Sequence, residues 1–129
     1  MIKFYISALL LTFSFGCLAQ SQADEERYNR FMKEREKVLA LFRATPQLME
    51  TDRPNVIEFV ERSGKGVFLV TKEGHPAHPA IVTRRVLEVN GQFAIKMDGD
   101  SGGSKEALKN WIDYMAAEDA KAVEAKRRR

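Results

Sequence analysis

From Asp24 to Phe42 the residues Tyr28, Phe31, Val38 and Phe42, flanked by Met32, Leu39 and Leu41, recur at steps of three and four. That spacing marks one face of an amphipathic α-helix. Asp24, Glu25 and Glu26 fall in its first turn and Arg43 at its end, the signs the helix dipole favours at each position. Ala44-Thr45-Pro46 stops the pattern. Residues 45–54 hold two prolines and the polar pair Thr51-Asp52, and read as a connector with one short helical turn at 46–49.

The period then shortens to two. Asn55 to Arg62 reads as a strand with mixed faces, and Ser63-Gly64-Lys65-Gly66 turns it into a second strand from Val67 to Lys72. The run Val67-Phe68-Leu69-Val70 is apolar on both faces, which predicts a central, covered strand. A second hairpin joins Ala80–Val89 to Gln92–Met97 through Asn90-Gly91, the pair best suited to the two positive φ angles of a type I′ turn. In its second strand Phe93, Ile95 and Met97 point one way, toward a core, while Ala94 and Lys96 point the other. Ser104 is a natural N-cap for a final helix with Glu106 in its first turn and Leu108, Trp111, Ile112 and Met115 in one stripe. Beyond Met115 the stripe thins to Ala116, Ala120 and Val123, leaving that end little to bury.

These elements predict an α+β fold: an N-terminal helix, a four-stranded antiparallel meander and a C-terminal helix, with both helices on one face of the sheet. A helix followed by a four-stranded wrap resembles cystatin-like architecture, a likeness of fold order that implies no function.

Ahead of the domain lies a segment of different character. Lys3 precedes an unbroken, mainly apolar run from Phe4 to Gly16, too short for the ~20 residues a spanning helix needs and followed by small residues and polar chain. Residues 1–23 therefore read as a secretory leader, with cleavage after Ala19 or after Ala23, and the chain as exported, periplasmic or secreted. An alternative is a lipoprotein anchored through Cys17, because Gly16-Cys17 resembles the end of a bacterial lipoprotein box, although Ser14 and Phe15 depart from it. Cys17 is the only cysteine, so no disulfide staples the domain, and residues 24–126 must be held by one packed core.

Charge matters only by location. The chain carries 21 basic and 18 acidic residues, but without Lys3 and Lys126-Arg127-Arg128-Arg129 the balance is sixteen against eighteen. The basic character thus belongs to the end of the chain, with residues 127–129 as a tail, and a nucleic-acid-binding face is not indicated. Those four cations offset the negative end of the last helix, or make peripheral contact with an anionic membrane.

Three stretches invite chemistry. Gly99-Asp100-Ser101-Gly102-Gly103 resembles the segment around the nucleophilic serine of chymotrypsin-type proteases, but the Ala-Ala-His-Cys motif of that family is absent and the chain is about half the length. No catalytic residue is assigned. Asp98-Gly99-Asp100-Ser101 could open a calcium loop, yet Lys109 stands where an EF-hand places its closing Glu, and a solvated turn is expected. The third stretch, Gly74 to Ala80, holds both histidines in a proline-stiffened loop between the hairpins.

His75, Pro76, His78 and Pro79 are accordingly the expected binding residues of a non-enzymatic binding or accessory module with no cofactor. Its partner would be a protein or envelope component. The alternative is a Zn- or Cu-binding protein, or a metal-dependent hydrolase, with His75, His78 and Glu73 as ligands.

Overall fold

Val67-Phe68-Leu69-Val70, apolar on both faces, predicts a central strand covered on both faces; the strand is central, and its cover is unequal, with Val70 fully buried and Val67 and Leu69 half-buried. In the computed structural model this run lies in β3 (Gly66–Thr71), the middle of five strands. Around it are β1 (Leu48–Asp52), β2 (Val56–Glu61), β4 (Ala80–Val89) and β5 (Gln92–Ser101), paired antiparallel in sequence order. Helix α1 (Ile2–Arg43) precedes the sheet and α2 (Lys105–Arg127) follows it. Side chains are described for residues 21–128. Of the expected leader, residues 2–20, with Cys17 and the cleavage position after Ala19, are described in backbone only, as part of α1; Met1 and the last tail residue, Arg129, lie outside the described residues.

Directly opposed residues share a face, so the register sorts the core. Ile57, Phe59, Phe68, Val70 and Ile81 share one face, and α1 packs on it through Leu39 and Phe42. Leu39, Phe59 and Val70 are essentially fully buried. The Phe42 ring lies 5.1 Å from that of Phe59 and 4.7 Å from that of Phe68, centroid to centroid. Val56, Val60, Val67, Leu69, Val82 and Met97 belong to the other face. There α2 covers only the β4–β5 half: Leu108 and Ile112 close over Gly99 and Val82, and Arg84 donates to both carboxylate oxygens of Asp119 at 2.9 and 2.7 Å.

The N-terminal helix, antiparallel meander and C-terminal helix are as the pattern predicts, and two details differ. The connector over 45–54 contains a fifth strand, β1, an edge strand whose last four residues are exposed. Its polarity concealed it. Leu48 alone joins the core, and pairing to β2 holds the rest. The helices, expected on one face, lie on opposite faces: α1 seats Leu39 and Phe42 on the Phe59–Val70 side, and Gly99 leaves room on the other side for Leu108 and Ile112 over β4 and β5, while Val67 and Leu69 of β3 stay only half-buried there.

Local signals hold well. Asn90 and Gly91 take φ of 54° and 76° in the second hairpin, and the Ser104 hydroxyl caps α2 by accepting from the Ala107 N–H at 3.1 Å. β5 continues past Met97 to Ser101, so Asp98 and Asp100 lie in a strand and not in the solvated turn expected of them. Helix α2 runs through Lys126 and Arg127, so the basic residues at the end of the chain largely form its last turn. Phe93, expected to face a core, is 77 % exposed, because the thin end of α2 does not reach over it.

Where β5 turns toward α2, a Cβ on Gly102 would collide with the Cβ of Phe31 on α1. Gly102→Ala is expected to destabilise the fold by about 1–3 kcal/mol through overpacking, read as a lower urea midpoint at unchanged slope. An unchanged midpoint would mean that Phe31 of α1 does not approach Gly102 as closely as this contact requires.

Candidate functional site

Two stretches distant in sequence, the histidine loop and the glycine-rich end of β5, meet because β4 pairs with β5 so that Ala80 opposes Ser101. Thr71, the last residue of β3 and fully buried, fixes the loop from one side. Its hydroxyl accepts from the Ala80 N–H at 2.8 Å and lies 2.9 Å from His78 Nδ1 and 3.2 Å from the Ala80 carbonyl. With one proton to give, the hydroxyl donates to the imidazole in one tautomer and to the carbonyl in the other. The Thr71 carbonyl accepts from Nε and Nη2 of the buried Arg35, at 3.2 and 2.8 Å, which ties α1 to the same point.

Ser101, 6 % exposed, holds the loop from the other side. Its hydroxyl donates to the carbonyls of Pro79 and Ala77, at 3.2 and 3.5 Å, and accepts from the Gly103 N–H at 2.9 Å. The Gly102 N–H donates to the Pro79 carbonyl at 2.9 Å, and Arg27 Nη2 donates to the Gly103 carbonyl at 2.8 Å. Gly103 is glycine because a Cβ there would approach the His78 carbonyl to 2.8 Å. The serine that resembles a protease nucleophile is thus a buried latch. None of its hydrogen bonds reaches an imidazole, so no base is placed to take its proton.

Within the loop, His75 Nδ1 accepts from the Ala77 N–H at 3.0 Å, and the imidazole centroid lies 4.3 Å from that of Trp111 on α2. Pro79 and Ala77 are buried, His75 and His78 half-buried, and Pro76 and Glu73 exposed. Of the expected binding residues, Pro79 is therefore part of the support, while His75, Pro76 and His78 reach the surface.

The alternative ligand set is not assembled. His75 Nδ1 is engaged by Ala77 and His78 Nδ1 by Thr71, and among the described residues no group of three or more His, Cys, Asp or Glu is placed to share a metal ion. Sequence reasoning missed Arg35, Thr71 and the partnership of Trp111 with His75. The signal for Arg35 was a cation four residues after Phe31 and four before Leu39, inside the apolar stripe. Thr71 carried none, since a threonine ending a strand is unremarkable.

No family model matches the chain, and no curated protein or solved structure is similar to it.

Burial lowers the pKa of His75, with a smaller contribution from His78. It also lowers that of His78, reinforced by the Arg35 charge and opposed by the Thr71 backbone and by Glu73. The unfolded chain, with histidines near 6.5, then binds more protons than the folded one just below that pH. Stability is complete above pH about 6.5 and falls as pH drops through that window. Urea midpoints measured between pH 7.5 and 5.5 should decline, and the double variant His75→Gln/His78→Gln should flatten the decline. Separately, Thr71→Val strands the Ala80 N–H and is expected to cost about 1–3 kcal/mol, with Thr71→Ser recovering most of it in the same urea titration.

Proposed function

We propose that this chain is an exported, non-enzymatic binding module that recognises a protein or envelope component. Its recognition surface is the His75–Pro79 loop, Trp111 and the β1–β3 half of the sheet that α2 leaves uncovered. Preorganisation of the loop carries the proposal. Thr71 and Ser101 hold its backbone from both sides, so His75 and Pro76 stand at the surface already ordered and little entropy remains to be lost on association. Around them, Met49 is 47 % exposed and Val56, Val60, Val67 and Leu69 are only half-buried, an apolar surface of the kind that marks interaction sites.

Binding also suits the chemistry at the loop better than catalysis does. The serine is buried and latched and the imidazoles are each held at Nδ1, which leaves a shaped surface and no paired acid and base. Export is supported by the leader pattern of residues 1–23; a lipoprotein anchored through Cys17 is the alternative to cleavage after Ala19 or Ala23, suggested by the Gly16-Cys17 pair. Among the described residues no helix is long and apolar enough to cross a membrane.

A photo-crosslinking residue placed at Pro76 in producing cells should give a discrete adduct that Trp111→Ala abolishes while circular dichroism shows the fold retained. The same group at the exposed Lys37 should give none. Equal labelling at both positions would sink the recognition surface. The mass of the recovered chain tests export independently: a start at Gln20, or at Asp24, supports it, and an intact residue 1 in the cytoplasm overturns it.

A further inference from the structure

We propose that the outer edge of β5 is a homodimer interface, at which a second copy of this chain pairs antiparallel to extend the sheet across a two-fold axis at Met97. β5 is ten residues long, carries no proline, and ends the sheet with one side unpaired. Such an edge is a ready template for another strand unless it is blocked.

The pattern of backbone groups selects the register. The Val86 N–H donates to the Lys65 carbonyl at 2.8 Å, away from β5, so Val86 and its partner Ile95 form a non-hydrogen-bonded pair. Ile95, with Phe93, Met97 and Gly99, therefore turns its N–H and C=O to the free edge. A two-fold axis at Met97 makes Met97 its own hydrogen-bonded partner and sets Ile95 opposite Gly99 of the second copy. Lys96 then stands opposite Asp98 of the second copy, and Asp98 opposite its Lys96. Both are non-hydrogen-bonded positions, where facing side chains come closest. Lys96 and Asp98 share the face away from α2, are 63 % and 74 % exposed, and within one copy form only a long ion pair, Nζ to Oδ2 at 3.7 Å, which the closer pairs across the axis would replace. The charge pattern is self-complementary in this register, as an isologous interface requires.

The opposite face at the same edge lacks cover. Phe93, Ile95 and Met97 form with Ala116, Ala120 and Val123 the apolar part of an open groove of about 340 Å³, which Asp119, Glu124 and Arg127 also line, with Phe93 77 % and Val123 46 % exposed. Ala116 and Ala120, both small, leave the groove open on the α2 side, and a second copy of the strand along the β5 edge would cover it.

Sedimentation of the full-length chain should show a two-copy mass. Lys96→Asp places like charges opposite each other twice and should raise the dimer dissociation constant about tenfold or more. Asp98→Lys should do the same, and the double exchange Lys96→Asp/Asp98→Lys should restore dimerisation. Met97→Cys in a Cys17→Ser background should form an intermolecular disulfide, since opposed Cα atoms at ~5.5 Å lie within disulfide reach. A monomer at high micromolar concentration overturns the proposal, and so does a dimer indifferent to both charge reversals, which would place association elsewhere, the residues before 21 included. Both charged side chains are well exposed, so the variants keep the fold, and circular dichroism verifies it.

Discussion

A single buried threonine sets the geometry on which much of this protein depends. Thr71 offers its hydroxyl to the Ala80 backbone and to His78, and its carbonyl to the guanidinium of Arg35. Helix α1, the end of β3, the start of β4 and the histidine loop are thereby tied at one point. Burying an arginine is costly unless its donors are satisfied, and here Nη1 adds a pair with Glu36 at 2.8 Å. The cost is tolerated because a hydrophobic contact would hold α1 at a range of rotations, whereas two donors on one carbonyl fix one rotation.

That fixed rotation matters because the sheet is covered unequally. Phe42 and Leu39 complete the core on the α1 face, but on the other face α2 reaches only β4 and β5 and buries none of its residues fully. Most of the packing energy therefore comes from one side, at roughly 25 cal/mol per Å² of apolar surface removed from water. The Arg84–Asp119 pair orients α2 more than it stabilises it, being a partly exposed ion pair. Unequal cover is what leaves apolar surface at two separate places, the β1–β3 half-face and the groove beside β5.

The local elements were legible in the sequence wherever one face of an element does one job. Asn90-Gly91, the Ser104 cap and the Leu108–Met115 stripe each act locally, and each appears as read. β1 was hidden because pairing, not side-chain burial, makes it a strand. The opposite placement of the helices was hidden because it depends on the space at Gly99, which only the pairing of β4 with β5 sets beneath Leu108 and Ile112. The same limit applied to the site. The histidine loop was visible as a stiff, singular stretch, but Thr71 and Arg35 act across 36 residues of sequence, and no periodicity reports a contact of that kind.

The fate of the motifs that suggested chemistry follows from hydrogen-bond satisfaction. Ser101 looked like a nucleophile and the Asp98–Ser101 stretch like a cation loop, yet the serine hydroxyl is enclosed by two carbonyls and an amide, and the aspartates are spread along a strand. Glycines beside a serine serve two different needs: room for a reacting oxyanion, or room for a neighbouring backbone. Here Gly103 meets the His78 carbonyl and Gly102 meets Phe31, so the room is taken by the protein itself. A polar group whose partners are all internal is structural, whereas the backbone along the outer edge of β5 has no strand paired to it among the described residues. Recognition in this fold is thus carried by surfaces that the interior leaves incomplete, and the polar residues most suggestive of catalysis are those that hold these surfaces in place.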